Sequence, residues 1–160
     1  MTGDQDKLNM PSSEKRILVV GYGNTLRGDD GVGQIIAEKI ENLGLPNVET
    51  LAIHQLTPDM AGMMKDYNML IFIDASEDIT IDETQVFDLF PSKNSAAIEH
   101  AMSPDNLLRL CLDLYSICPE SYIVLLPARI FSFTEELSDI TKAAIPEAIN
   151  IITAKIKNIA

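Results

Sequence analysis

RILVVGYGNTLRGDDGVG, residues 16–33, is the stretch on which the reading of the fold turns. Ile17 to Tyr22 is a short apolar run, read as a fully buried strand. A glycine-rich turn follows, and then Val32, Ile35, Ile36, Ile40 and Leu43 recur at helical spacing until Gly44 and Pro46 supply a stop. A buried strand, a tight turn and a helix make the first half of a parallel crossover unit. Inside the turn, Asp29 and Asp30 stand side by side. Adjacent carboxylates repel, so the pair needs a helix end, a cation or a reaction to account for it.

The same alternation continues outward from this stretch. Val48 to Ile53 reads as a second strand, and Thr57-Pro58-Asp59 as a capped helix start leading into a helix that carries Met60, Met63 and Met64. Met69 to Ser76 is a third buried strand. Residues 84–90, TQVFDLF, alternate well enough for an edge strand. Ser103-Pro104 repeats the cap-plus-proline device before a helix running to about Ile117, and Tyr122 to Leu126 is another apolar strand. From about Ser138 a long amphipathic helix puts Ile149, Ile152, Ile156 and Ile159 on one face, with Pro146 either kinking or restarting it. Strands alternating with helices imply an α/β domain, doubly wound, with a mostly parallel sheet covered on both faces. Sheets of this kind bind ligands beyond the carboxyl ends of their strands. Three polar features fall there: the glycine turn after strand one, His54-Gln55 after strand two, and Asp74 at the end of strand three.

The chain as a whole sets limits. Its 160 residues fit one domain, read as residues 16–160 behind a flexible polar lead-in, residues 1–15. Net charge is −12, which argues against nucleic acid or an anionic membrane as partner, since both need clustered Lys and Arg. No apolar stretch approaches the ~18 residues of a membrane span, and no secretory signal opens the sequence, so membrane insertion is not expected and a cytoplasmic location is. Cys111 and Cys118 are seven apart in a helical pattern and read as buried helix packing rather than a disulfide or zinc framework.

Several chemistries compete for the glycine turn. Gly21 and Gly23 match the first two glycines of a dinucleotide fingerprint, but Leu26 stands at the third and His54 replaces the acidic ribose ligand. Helix capping accounts for one aspartate of the pair better than for two. Asp74 ends a strongly apolar strand, where a carboxylate requires a cation or several amide donors. His100 lies just ahead of a helix start and His54 competes for the same role. Two carboxylates and one imidazole suit zinc, nickel or a similar divalent ion, and three protein ligands leave room for water or substrate. Neither G-x-S-x-G nor H-E-x-x-H occurs, and Cys111 has neighbours that predict burial away from any base.

Taken together, GYGNTLRGDDGVG at 21–33, HQLTPDMA at 54–61, LIFIDAS at 70–76, HAMSPDNLL at 100–108 and, more loosely, LPARIFSFTEELS at 126–138 resemble the hydrogenase maturation endopeptidases of [NiFe] hydrogenases. The HQLTP and HxxxP segments are similar to the branch serving cytoplasmic bidirectional or NAD(P)-linked hydrogenases. The resemblance implies a single three-layer domain with a five-stranded sheet flanked by helices. It also implies removal of a C-terminal extension from the large-subunit precursor after nickel insertion. Asp30, Asp74 and His100 match the residues that contact the metal and carry catalysis. Asp29 is left to cap the helix, orient a ligand or accept a proton. Nickel would be supplied by the precursor, the expected partner, with zinc able to occupy the site in the isolated protein. A non-catalytic chaperone of the precursor tail is the alternative. Relatives tend to carry a glycine and an acidic residue where LPARIFSF stands, so Arg129 is a departure that bears on substrate contacts.

Overall fold

The computed structural model describes residues 14–94 and 102–159. The expected lead-in therefore falls mostly outside the described residues, as does His100; Glu14 and Lys15 are exposed ahead of the first strand. The described strands are β1 (Ile17–Tyr22), β2 (Val48–Ile53), β3 (Met69–Ala75), β4 (Gln85–Leu89) and β5 (Glu120–Leu126). The helices are α1 (Val32–Asn42), α2 (Ala61–Met64), α3 (Pro104–Tyr115) and α4 (Asp139–Ile159). The strands form one five-stranded sheet in the order β2-β1-β3-β5-β4. Every pairing is parallel except that of β4 with β5, which makes β4 an antiparallel edge.

Strict alternation along the central strands builds two cores. Ile17 and Val19 of β1 with Met69, Ile71 and Ile73 of β3 pack under α1 and α4. Leu18, Val20, Leu70 and Phe72 face the other way, against α2 and α3. A period of two on a sheet buried on both faces gives this result. Each of these side chains, fully buried, contributes roughly 1.5–3 kcal/mol relative to exposure. The expected stripe on α4 is present: Ile152 and Ile156 are buried, and Ile149 and Ile159 pack against the same core.

Four local expectations are refined. Pro146 lies inside α4, which runs unbroken from Asp139 to Ile159. The helix expected after Thr57 is a 3-10 turn, Pro58–Met60, followed by a single helical turn, α2. The chain then closes on itself through amides of Asp66 and Tyr67 donating to the carbonyls of Met63 and Met64, which aims it into β3. α3 stops at Ser116, whose left-handed φ of 57° caps it with an amide bond to Leu112. As a consequence Cys111 is buried in the core, but Cys118 lies past the helix end and is exposed, contrary to its expected burial.

Sheet order puts the topological switch between β1 and β3. The connection from β1 to β2 runs over one face through α1, and that from β2 to β3 over the other through α2. The carboxyl ends of β1 and β3 thus open a crevice between diverging connections, the place where open α/β sheets bind ligands.

Candidate active site

Two glycines explain how the turn after β1 reaches that crevice. A Cβ on Gly33 would lie 2.4 Å from the Ile73 carbonyl oxygen and 2.8 Å from that of Tyr22. A Cβ on Gly21 would lie 1.9 Å from the carbonyl oxygen of Gly33. The start of α1 therefore sits directly on the ends of β1 and β3, and only hydrogen fits between them. Of the fingerprint-like glycines, Gly21 serves this helix-to-sheet approach, while a Cβ on Gly23 would meet the Asp30 carbonyl oxygen at 1.9 Å.

The paired aspartates then part company. Asp29 is fully buried. Its carboxylate accepts the amides of Arg129 at 2.7 Å, Ile130 at 2.9 Å and Ser138 at 2.7 Å, and the Ser138 hydroxyl at 2.7 Å. Burial by itself would push its pKa up, but the bonds from Arg129, Ile130 and Ser138 outweigh burial and hold it below the usual carboxylate value. With four donors its lone pairs are taken up. Neither the 3-10 turn Gly28–Gly31 nor α1 has a side-chain cap. The capping and proton-accepting roles weighed for Asp29 are therefore corrected: it staples the 127–138 segment to the glycine turn. An amide bond from Asp29 to the Ile130 carbonyl and two bonds exchanged between Thr134 and the 26–28 backbone complete the seam.

Asp30 is only partly buried, and the Asn24 amide donates to its Oδ2 at 2.8 Å. Across the crevice, Asp74 occupies the penultimate position of β3, in register with Leu125. Its parity places it with Leu70 and Phe72, on the α3 side of the sheet, and Tyr22 shares that side. The Asp74 carboxylate accepts the Ala75 amide at 2.8 Å and the Tyr22 hydroxyl. Burial pushes the Asp74 pKa up to about 7, and the negative charges of Asp30 and Glu77 push in the same direction. The Tyr22 hydroxyl is held far above its ordinary value by burial first and then by Asp74, Asp30 and Asp105. The charge of Asp30 thus acts on both Asp74 and Tyr22, which makes the carboxyl edge of β1 and β3 the candidate acidic site.

Tyr22 is a candidate site residue that sequence reading missed, because it closes an apolar strand and reads there as packing. Strand parity is the signal that could have found it: Tyr22 lies one strand over from Asp74 on the same face. Of the other candidates, His54 is exposed just beyond β2. The Arg129 guanidinium is committed to the 76–84 segment, donating to the Ile81 carbonyl at 2.9 Å and pairing with Asp82 at 2.5 Å. His100 lies outside the described residues. Where the described chain resumes, Met102 is buried against the α3-side core and its amide donates to the Leu56 carbonyl. Among the described residues no three His, Cys, Asp or Glu side chains cluster closely enough to hold a metal ion. Asp30 and Asp74 supply two oxygen donors. No helix among the described residues is long and apolar enough to cross a membrane.

No protein-family model matches the chain. Over 80 residues, 49% of the chain and 47% of the relative, it is 36% identical to a Methanocaldococcus jannaschii protein provisionally named a hydrogenase maturation protease. The chain thus matches about half the length of that curated relative. Among solved structures, the hydrogenase maturating endopeptidase HybD from E. coli superposes with a TM-score of 0.69 at 23% identity, covering 89% of this chain and 93% of that one. The [NiFe] hydrogenase maturation protease HycI from Thermococcus kodakarensis gives 0.69 at 21% identity, covering 91% and 95%. The chain resembles the hydrogenase maturation proteases in sequence and in fold. At these identities the structural matches speak for the fold, which is the expected α/β architecture with a mostly parallel five-stranded sheet.

Proposed function

We propose that the protein is a cytoplasmic endopeptidase that removes the C-terminal extension of a [NiFe]-hydrogenase large-subunit precursor once nickel has been inserted. The observation that supports this reading is the charge of Asp30 acting on both Asp74 and Tyr22 at the carboxyl ends of β1 and β3. The likeness to maturation proteases supports it.

The donor set fits a divalent cation. Burial and the charge of Asp30 raise the cost of ionising Asp74, so a cation beside its carboxylate is favoured. In this reading nickel arrives as part of the substrate and, when bound, supplies a Lewis acid beside the scissile carbonyl. The chain's own residues do the rest. The Asn24 amide orients the Asp30 carboxylate, and the Tyr22 hydroxyl and Ala75 amide orient that of Asp74. His100 is the third group we assign, on the resemblance of HAMSPDNLL at 100–108 to the maturation endopeptidases. Zinc would fit the same donors in the isolated protein.

The test is the intact mass of a nickel-loaded precursor incubated with the purified protein. Loss of the tail mass is expected, and Asp30→Ala or Asp74→Ala should abolish it. Full cleavage by either variant refutes the site. Stable co-purification of precursor and protein with the tail retained would instead make the protein a non-catalytic chaperone.

A further inference from the structure

Leu26 and Phe133 are 45% and 86% exposed, yet neither sits on a loose loop. An isolated parallel bridge pairs Arg27 with Thr134, so Leu26 and Phe133 stand side by side, each one residue before it. The Gly28 amide donates to the Thr134 carbonyl at 2.7 Å and the Thr134 amide to the Leu26 carbonyl at 3.0 Å. Asp29, one residue along, locks the same seam with its four bonds. Scattered exposed apolar side chains are normal on a protein surface. This pair differs in being ordered in place by the fold. With the backbone beneath it already fixed, an exposed aromatic offers contact area without the cost of ordering a loop on binding.

The pair is also wired to the acidic site. Asn24 Oδ1 accepts the Leu26 amide at 2.9 Å while the Asn24 amide donates to Asp30 at 2.8 Å. The lip therefore starts two residues from the group that orients Asp30, about 7 Å along the backbone. Glu135 and Glu136 are exposed directly beyond Phe133, against the single exposed guanidinium of Arg27 in the same seam.

We propose that Leu26 and Phe133 are specificity-determining residues: they form the lip on which an apolar side chain of the substrate polypeptide docks, with a cationic neighbour facing Glu135 and Glu136. The proposal rests on the endopeptidase reading. The docked residue then lies two or three positions from the group that faces Asp30, since an extended chain advances about 3.3 Å per residue.

The experiment measures, for wild type, Phe133→Ser, Leu26→Ser and Glu135→Gln/Glu136→Gln, the Kd for a nickel-loaded large-subunit precursor, the cleavage KM and kcat, and the melting temperature. Phe133→Ser and Leu26→Ser should each raise Kd and KM about tenfold or more, as central apolar anchors do. For both, kcat should stay within about twofold and the melting temperature should stay that of wild type. The double glutamine variant should raise Kd about threefold and flatten its dependence on salt. Wild-type Kd and KM in both serine variants overturn the proposal. So does a wild-type protein that fails to bind the precursor. Light scattering that shows a wild-type dimer converted to monomer by Phe133→Ser also overturns it, because the lip then serves a second copy of the chain. If wild type binds but never cuts, the endopeptidase reading fails while a Kd raised by Phe133→Ser still supports the lip.

Discussion

Asp29 and Asp30 differ by one position and by everything that matters chemically. One carboxylate turns inward and is filled by donors from residues 129, 130 and 138; the other stays partly exposed, takes the Asn24 amide and adds its charge to the surroundings of Asp74. Asp29→Ala strips a buried charge from three amides and a hydroxyl and leaves those donors unpaired. Bonds to a charged acceptor are worth about 1.5–3 kcal/mol each, so a loss of at least ~3 kcal/mol is expected. For a chain of this size that lowers the melting temperature by roughly 6–12 °C. A thermal scan at pH 7 checks it, and an unchanged midpoint would remove the staple. The folded-state pKa of Asp29 is depressed, so its contribution is present above the unfolded value of 3.8 and disappears as pH falls through the folded one. Asp74 has the opposite sign. Its folded pKa of about 7 stands above the unfolded 3.8, so its contribution is intact below 3.8 and is lost as pH rises through 7. At about 1.4 kcal/mol per unit, the ionised carboxylate costs up to ~4 kcal/mol at pH 8. Asp74→Asn should therefore be inactive and gain on wild type as pH rises: equal to it only below about 3.8, ahead by roughly 1.5 kcal/mol at pH 5 and by roughly 4 kcal/mol at pH 8. Urea unfolding at the two pH values decides this, and an Asp74→Asn variant destabilised at pH 8 would contradict the burial argument.

At the scale of elements, the site depends on how closely α1 approaches the sheet. Gly33→Ala puts a methyl group against the carbonyls of Ile73 and Tyr22, which are backbone and held in strands. Overpacking of this kind costs typically 1–3 kcal/mol, and with two backbone oxygens in the way the upper end is expected. Because α1 can relieve the clash only by lifting off the ends of β1 and β3, Asp30 should move away from Asp74. Cleavage by Gly33→Ala should fall at least tenfold at a temperature where circular dichroism shows it folded. Cleavage at the wild-type rate would mean the approach is not needed. These elements were legible because each carries its own period. β1 and β3 alternate strictly between two cores, α4 repeats its isoleucines, and prolines mark the helix starts at Pro58 and Pro104. The acidic site was legible in part, since strand order alone brings the turn after β1 next to Asp74. Asp29's partners were not, because they lie 100 or more residues away, and three of the four donors are backbone amides and the fourth a serine hydroxyl in a loosely matching stretch. Cys118 misled for the opposite reason: its seven-residue spacing from Cys111 continued a helical pattern that Ser116 had already ended.

The whole molecule concentrates negative charge, 24 acidic residues against 12 basic, and its topology opens one crevice where two of those acids cannot both ionise cheaply. On the proposed reading that crevice receives a cation, and the protonation of Asp74 then sets when it can be received. With a pKa near 7, the ionised fraction rises from roughly one tenth at pH 6 to nine tenths at pH 8. Affinity for a divalent ion should therefore be about tenfold higher at pH 8 than at pH 6. A titration of the isolated protein with nickel or zinc measures this by calorimetry. Saturation at about 100 times Kd adds ~2.7 kcal/mol of stability, visible as a rise of roughly 5–11 °C in the melting temperature, and a chelator should return it to the starting value. Asp30→Ala should lose both the heat and the shift, whereas Asp113→Ala, an acid paired with Arg109 on the surface of α3, should lose neither. Equal loss in the two variants would mean that the ion senses only the overall charge of the molecule, and the crevice would then have no special claim on it.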